Sequence, residues 1–196
     1  MDDELRVKLF LKGISFAAEK HKLQKRKATG ESFITHPIGV AEILYDEGFV
    51  TNIEVIVAAL LHDTVEDTDA TLDDIEKEFG SNIAKYVEQC SDDKSLSQVE
   101  RKKLQIVKAP TKCPEAKLIK IADKLHNMRD LKKLPPPTWS DKRVQGYFVW
   151  SYKVCENLRG INYHLDVSLD DFFKSVGIID GVTNEQLEEY YEELLR

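Results

Sequence analysis

The feature that most constrains the fold is the helical spacing of the apolar residues. Segments of ten to twenty residues with this spacing follow one another along the chain, separated by turn-forming residues. In the segment 53–61, apolar side chains recur at i, i+3, i+4, i+7 and i+8, which is the pattern of a buried helix face. No segment alternates apolar and polar residues as a half-buried strand does. At 196 residues, one main domain is expected, and the sequence predicts that it is all-α.

Turn and capping residues set the predicted ends of the helices. Thr71 and Asp74 form a capping box, with Asp in place of the usual Glu, at the start of a short helix. Gly48 is expected to end the second helix as a left-handed cap. Ser168 is expected to begin a late helix that ends near Gly177.

Composition and charge exclude several classes of protein. The net charge of −7 argues against a general DNA- or RNA-binding protein, which needs a basic surface. The longest purely apolar run, residues 55–61, is far too short to span a membrane, and no apolar signal segment opens the chain. The three cysteines are widely spaced and odd in number, which suits a reducing compartment. We therefore expect a cytoplasmic protein without nucleic-acid or membrane partners.

The last 17 residues differ from the rest of the chain. The segment 180–196 has six acidic residues and one basic residue, and it carries −5 of the net charge. Thr183 and Gln186 form a capping box, and an amphipathic helix is predicted after them. Its apolar face could pack back on the domain, or it could mediate self-association in a homo-oligomer. The predicted boundaries are 1–179 for the main domain and 180–196 for the acidic helical extension.

Four polar residues at apolar positions predict a metal site. His62 and Asp63 directly follow the buried segment 53–61, His36 precedes Pro37 at the start of a helix, and Asp123 lies in an apolar helical register. A buried carboxylate without a partner is costly, and a metal ion would satisfy it. Imidazole and carboxylate suit a borderline-to-hard divalent cation. Taken singly, a buried histidine is more often a hydrogen-bonded core residue than a metal ligand, and a helical aspartate is usually solvated or a salt-bridge partner.

A second acidic pair follows the first at helical spacing. Glu66 lies four residues after His62, and Asp67 lies four residues after Asp63. If the helix continues for one more turn, both carboxylates project towards the same side as the predicted metal ligands. A carboxylate beside a metal site is what metal-assisted hydrolysis requires. The alternative is a simple acidic turn.

Local positive charge would allow this acidic protein to bind a polyanion. Arg143 and Tyr147 share a helix face and offer a guanidinium and a ring to a phosphate or a base. Asn127 shares a helix face with Asp123. The other cationic candidates are Lys25, Arg26, Lys27, Lys94, Arg101, Lys102 and Lys103. The alternative for each run of charge is a solvated surface.

These motifs together resemble a known family. The stretches that match are Arg26-Lys27, residues 33–37, residues 58–68 and residues 120–130. They are similar to the hydrolase domain of RelA/SpoT proteins, which belong to the HD-domain metal-dependent phosphohydrolases. Residues 92–96, 100–105 and 147–150 narrow the resemblance to the small stand-alone animal form. The resemblance covers roughly residues 5–178.

The resemblance implies an all-helical HD bundle that hydrolyses the 3′-pyrophosphate of ppGpp or pppGpp to GDP or GTP and pyrophosphate. It implies one Mn²⁺ per chain, and it implies that Glu66 and Asp67 activate the attacking water. The implied metal ligands are His36, His62, Asp63 and Asp123. The implied substrate-binding residues are Arg26, Lys27, Lys94, Asn127, Arg143 and Tyr147. The animal form is also associated with removal of the 2′-phosphate of NADPH.

The chain departs from the family pattern in three places. The loop between Lys27 and Gly30 is one residue longer than in the bacterial pattern, which leaves open whether Arg26 or Lys27 contacts the substrate. The chain has no room for a synthetase domain, so we expect hydrolysis alone. The acidic extension has no counterpart in the pattern. Two other functions remain open, an NADPH phosphatase and a catalytically silent nucleotide sensor, and the presence of Glu66 and Asp67 argues against the sensor.

Overall fold

The computed structural model describes residues 2–195, and within that range it contains helices but no strand. Met1 and Arg196 lie outside the described residues. They are the first residue of the predicted domain 1–179 and the last residue of the predicted extension 180–196. The helices are α1 (Asp3–Lys20), α2 (Thr35–Glu42), α3 (Ile53–Leu61), α4 (Thr64–Asp67), α5 (Leu72–Phe79), α6 (Ser81–Cys90), α7 (Gln98–Lys108), α8 (Pro114–Lys133), α9 (Asp141–Glu156), α10 (Tyr163–Ser175) and α11 (Asn184–Leu194). A π-helical segment, Ile43–Glu47, extends α2, and a short 3₁₀ turn, Ala109–Thr111, follows α7. The all-α prediction is confirmed.

Helix α3 forms the centre of the core. All its residues from Val55 to Leu61 are buried, because α1, α2, α6 and α8 pack around it. Helix α8 is also largely buried, and it packs against α2, α6, α9 and α10. Helices α3 and α8 place His62 and Asp123 inside the bundle, where both are buried, and leave Asp63 partly exposed.

The capping box of Thr71 and Asp74 forms as predicted, with both reciprocal hydrogen bonds. The prediction of a left-handed cap at Gly48 is wrong. Gly48 has φ −81°, and the positive φ of 52° falls on Phe49. The reason for a glycine at this position is steric, since a Cβ on Gly48 would lie 2.8 Å from the backbone oxygen of Leu44. A close backbone approach, rather than a left-handed conformation, therefore requires the glycine.

The predicted start of the late helix at Ser168 is also wrong. Helix α10 begins at Tyr163, and the side chain of Asn162 caps it by accepting a hydrogen bond from the Leu165 amide. The Asn162 amide also donates to the Gly48 carbonyl at 2.7 Å. Ser168 lies inside the helix, where its hydroxyl donates to Glu47 at 2.7 Å. Asn162, which caps the helix, also contacts Gly48, 114 residues away in sequence. Local spacing does not reveal such a contact.

The acidic C-terminal helix α11 lies against α9. The capping box of Thr183 and Gln186 begins it, and Tyr190 and Tyr191 are buried. The boundary at residue 179 stays a prediction, as does any role in self-association. Among the described residues, no helix is both long enough and apolar enough to cross a membrane.

Candidate active site

Three separate parts of the bundle bring the four predicted metal ligands together. His36 lies in the first turn of α2, His62 and Asp63 lie between α3 and α4, and Asp123 lies in α8. The Nε2 atom of His36 is 3.3 Å from Oδ1 of Asp123 and 3.6 Å from Oδ2 of Asp63. The Nε2 atom of His62 is 3.2 Å from Oδ1 of Asp63 and 3.9 Å from Oδ1 of Asp123. Two imidazoles and two carboxylates thus converge on one small volume.

The donor set and an orphaned atom both fit a divalent cation. The Nδ1–H group of His62 donates to the Ala59 carbonyl at 2.7 Å, which leaves Nε2 as the acceptor facing the cluster. That Nε2 atom is buried and has no hydrogen-bond partner among the described residues. Ligand atoms of His36, His62 and Asp123 all lie within 4.8 Å of one another. Imidazole and carboxylate groups without a nearby thiolate suit such a cation.

His126 orients His36 from outside the cluster. Their Nδ1 atoms are 3.0 Å apart, so one ring donates to the other. When His36 offers Nε2 to a metal, its Nδ1–H group is the donor and His126 is the acceptor. Burial and the nearby His36 lower the pKa of His126 to about 4. A neutral His126 can therefore accept this hydrogen bond at ordinary pH.

Two buried lysines hold Asp123 in its charged form. Lys120 and Lys124 contact its Oδ2 atom at 3.1 Å and 2.8 Å, while Asn127 donates to Oδ1 at 2.6 Å. Burial alone would raise the pKa of the Asp123 carboxyl, but the two ammonium groups outweigh burial and lower it well below the usual value. The lysines leave Oδ1 facing the histidines. The sequence did not predict their role, although their spacing of three residues before and one residue after Asp123 is visible in it.

The histidines respond differently to the same surroundings. Burial lowers the pKa of His36, which favours the neutral form that binds a metal. Burial also disfavours protonated His62, but the carboxylates of Asp63 and Asp123 outweigh burial and raise its pKa. The two carboxylates therefore favour a positive charge in the cluster, which a bound metal ion would supply.

Glu66 and Asp67 do not lie on a continuation of α3. Helix α3 ends at Leu61, and both acids belong to the single turn of α4. The Asp92 amide donates to Oε2 of Glu66 at 3.0 Å, and burial raises the pKa of the Glu66 carboxyl. Asp67 accepts a hydrogen bond from Lys94 at 2.5 Å. Asp67 shares a cavity lining with His36 and Asp63, the position of Glu66 beside the metal ligands stays a prediction, and the helix is broken rather than continuous.

An open cavity of about 370 Å³ adjoins the predicted ligands His36 and Asp63. Four of the predicted substrate-binding residues line it, namely Arg26, Lys27, Asn127 and Tyr147, and Asp67 lies at its edge. Lys94 and Arg143 lie outside this lining. A larger apolar groove of about 750 Å³ lies between α1, α2 and α3 and includes none of the predicted site residues.

The two predicted residues outside the lining contact residues that belong to it. Lys94 pairs with Asp67, and it also lies 3.7 Å from Glu66. The Arg143 guanidinium stacks over the Trp139 ring at 4.7 Å. Their roles in substrate binding stay predictions.

Arg26 and Lys27 occupy different positions in the cavity wall. The Arg26 guanidinium donates to Asn127 at 3.0 Å and to Asp130 at 2.9 Å, which ties it to α8. Lys27 is exposed at the cavity. Arg26 is thus part of the ordered wall, and Lys27 is available to a bound anion.

The predicted substrate-binding set omits several residues that line the cavity. Lys102, Trp139 and Phe33 line it beside the predicted residues. Lys102 belongs to a basic run that was noticed, but its spacing alone did not distinguish it from the exposed Lys103 beside it. Trp139 lies in the loop after α8, where no periodicity indicates which way a side chain faces.

A comparison with protein families matches the HD domain to residues 13–151. The chain belongs to the HD-domain family. Among HD-domain proteins, it is similar to the human guanosine-3′,5′-bis(diphosphate) 3′-pyrophosphohydrolase MESH1. The two are 50% identical over 169 residues, which cover 86% of this chain and 94% of the human protein. The protein of the same name from Xenopus tropicalis is also 50% identical, over 87% of this chain and 96% of its own length.

A solved structure of a similar HD-domain protein has the same fold. It is described as a metazoan ortholog of SpoT that hydrolyses ppGpp and plays a role in starvation responses. It superposes on this chain with a TM-score of 0.85 and 45% identity, over 87% of this chain and 97% of its own. The resemblance drawn from the motifs is therefore confirmed, and so is the HD-domain helical fold.

Proposed function

We propose that this HD-domain protein hydrolyses the 3′-pyrophosphate of ppGpp and pppGpp, releasing GDP or GTP and pyrophosphate. The observation that carries the proposal is the buried cluster of His36, His62, Asp63 and Asp123 beside a cation-lined cavity. The names of the relatives and of the solved ortholog point to the same reaction. The proposal is for hydrolysis alone, and the absence of synthetase activity stays a prediction.

The four clustered residues would hold one Mn²⁺ per chain. Neutral His36 and the ionised Asp123 present their ligand atoms at a separation of 3.3 Å, and Asn127 keeps Oδ1 of Asp123 in place. When bound, the cation supplies positive charge that polarises a phosphoryl group and acidifies water. The choice of Mn²⁺ over other divalent cations rests on the family resemblance. It stays a prediction, as do the single ion per chain and the cytoplasmic location.

Glu66 is proposed to accept the proton of the attacking water. Its Oε2 atom is held by the Asp92 amide, and burial raises its pKa, so its carboxylate is a stronger base than an exposed glutamate. Asp67 at the cavity edge would orient the water. The water oxygen forms a bond to the phosphorus attached to the 3′ oxygen, the bond from that phosphorus to the 3′ oxygen breaks, and the 3′ oxygen takes up a proton.

The cationic wall would offset the charge of the substrate. Lys27 and Lys102 line the cavity from distant parts of the sequence, and Arg26 is tied to the wall by Asn127. Positive groups fixed before the substrate arrives favour a transition state with spread negative charge. The Tyr147 ring offers a surface for a base. Lys94 and Arg143 lie outside the cavity lining and would add to the positive charge that the substrate meets.

Metal content and turnover, measured on the same preparations, test these roles. We expect His62→Ala to lose both the metal and hydrolysis of ppGpp, because it removes the Nε2 atom that would bind the metal. We expect Glu66→Ala to keep the metal and lose most of its turnover. Glu88→Ala is the matched control, since Glu88 is an exposed glutamate on α6. A fully active Glu66→Ala protein would contradict the assignment.

A parallel assay with NADPH separates the proposed reaction from the two alternatives. Both substrates place a ribose phosphate in the same cavity, so the ratio of their kcat/KM values ranks them. We expect pyrophosphate and GDP from ppGpp. A higher kcat/KM for the release of phosphate from NADPH would identify the phosphatase instead. Binding of both nucleotides without turnover would identify a sensor.

A further inference from the structure

The C-terminal helix α11 lies behind the cavity wall without contributing a residue to the lining. It begins at Asn184, well beyond residue 151, where the match to the HD-domain model ends. Helix α11 packs on α9 and also contacts α7. These two helices carry Tyr147 and Lys102, which line the cavity.

Tyr190 fits into α9 at a glycine. Its side chain is 1% exposed, and it occupies the space that a side chain at position 146 would need. A Cβ on Gly146 would lie 2.6 Å from Cδ2 of Tyr190. A glycine inside a helix is destabilising relative to alanine. The space required by Tyr190 accounts for this glycine, which immediately precedes Tyr147.

The contact continues from Tyr190 through a buried tryptophan to the cavity. The Tyr190 and Trp150 ring centres are 6.3 Å apart, and those of Trp150 and Tyr147 are 5.3 Å apart. The Trp150 indole donates to the Lys102 carbonyl at 3.0 Å. The Lys102 ammonium lies 3.3 Å from the Trp150 ring centre. Trp150 therefore contacts both cavity residues and Tyr190.

Helix α11 also contacts α7 directly. The Lys103 ammonium lies 4.6 Å from the Tyr191 ring centre and 3.8 Å from the Glu188 carboxylate. Lys103 is the residue after Lys102. Helix α11 thus contacts α7 and α9 beside the two residues that these helices present to the cavity.

We propose that α11 is a positioning element of the active site, which fixes α7 against α9 so that Lys102 and Tyr147 face the bound nucleotide at the required spacing. The inference rests on the proposed function. Because groups that are held rigidly before binding lose less freedom when the ligand binds, a loosened wall weakens nucleotide binding without any change at the metal cluster. The metal-binding residues lie on α2, on α8 and after α3. The effect is therefore expected in KM more than in kcat.

Variants of Tyr190 in the full-length protein test the proposal. We expect Tyr190→Ala to raise the KM for ppGpp about tenfold with a change in kcat of less than about threefold, which is the pattern of lost substrate binding. Tyr190→Phe keeps the ring and is expected to restore KM. Glu189→Ala, an exposed neighbour on α11, is the matched control.

A second variant acts from the other side of the same contact. Gly146→Ala places a methyl group against Tyr190 and is expected to raise KM to a similar extent. In the Tyr190→Ala background the methyl group has room, so the double variant is expected to be no worse than Tyr190→Ala alone. If Tyr190→Ala does not fold, Gly146→Ala and Tyr190→Leu decide the question in its place.

Binding measured by tryptophan fluorescence distinguishes the two possible failures. If the wild-type protein does not hydrolyse ppGpp, the proposed function fails, and weaker nucleotide binding by the variants still supports the positioning role. If the wild-type protein is active and every folded variant keeps the wild-type KM and affinity, α11 has only a structural role and the inference is overturned. An equal rise in KM for Glu189→Ala would also overturn it.

Discussion

Gly39→Ala is expected to weaken metal binding without adding or removing any ligand. Gly39 lies in α2, one turn after His36, and faces His126. A Cβ at this position would lie 2.2 Å from Nε2 and 2.3 Å from Cδ2 of His126, whereas ordinary contacts lie at 3.4–4 Å. The His126 ring must therefore move by more than about 1 Å, since real contacts do not tolerate such an approach. Its side chain is 18% exposed, so it can turn towards solvent.

The expected loss of metal affinity follows from the hydrogen bond that this movement breaks. The Nδ1 atoms of His126 and His36 are 3.0 Å apart, and this contact fixes the ring of a predicted metal ligand. Loss of such an outer partner weakens metal affinity about 10- to 100-fold, which corresponds to about 1.4–2.7 kcal/mol. Replacing a helical glycine by alanine raises the free energy of unfolding by about 1 kcal/mol. This gain acts against the destabilising displacement of His126. We therefore expect a weaker metal site in a protein whose Tm changes little.

Calorimetric titration of the metal-free protein with Mn²⁺ measures this effect. The series comprises the wild type, Gly39→Ala, His126→Ala and the double variant. Gly13→Ala is the matched control, because Gly13 is a buried glycine in α1 whose Cβ would meet Val57 at 3.1 Å instead of a site residue. In the double variant the space left by His126 admits the methyl group, so no further loss is expected. Wild-type affinity in Gly39→Ala would refute the proposed role of His126.

Three further predictions concern stability and pH. Trp150→Phe removes the indole that donates to the Lys102 carbonyl and is expected to lower the free energy of unfolding by about 1 kcal/mol, measured by urea denaturation. Glu47→Gln is expected to cost only about 0.5 kcal/mol at pH 7, because its ion pair with Arg129 is partly exposed. Arg129 lowers the pKa of Glu47 below the usual 4.5, so the wild-type advantage is complete above that pH and disappears as the pH falls through the lowered value, as paired Tm measurements across pH would show. Burial raises the pKa of the Glu66 carboxyl above the usual 4.5, so an NMR titration of the metal-free protein is expected to show Glu66 titrating above an exposed glutamate, and titration at or below 4.5 would contradict this effect of burial.

Local spacing was sufficient to predict the helical fold because each helix carries its own amphipathic pattern. The segment 53–61 became α3, and four of the five residues predicted on its buried face are buried, while Ile53 is half-buried. A long-range contact decided one of the two positions that were predicted wrongly, because Asn162 caps α10 while it also bonds to the Gly48 carbonyl. The other cause is local, since Gly48 is a glycine because the backbone oxygen of Leu44, four residues earlier, approaches it. Neither contact leaves a hydrophobic pattern in the sequence.

The metal cluster was predictable for a different reason than the cavity wall. A histidine or aspartate in an apolar register, such as Asp123, departs from the local pattern and can be noticed in one sequence. Lys120 and Lys124 flank Asp123 and look like ordinary surface lysines of a helix, but both are buried against it. Lys102 and Trp139 face the cavity only because α7 and the loop after α8 pack where they do. Tertiary packing sets these positions, and spacing alone does not encode them.

Hydrolysis of ppGpp in ¹⁸O-labelled water tests the central claim most directly. The metal-loaded protein would be incubated with ppGpp, the products would be separated, and their masses would be measured by mass spectrometry. The account predicts GDP without label and pyrophosphate carrying one ¹⁸O atom, because water attacks the phosphorus next to the 3′ oxygen. It also predicts that neither product forms with His62→Ala. Label in GDP, release of orthophosphate in place of pyrophosphate, or equal turnover by His62→Ala would contradict the account.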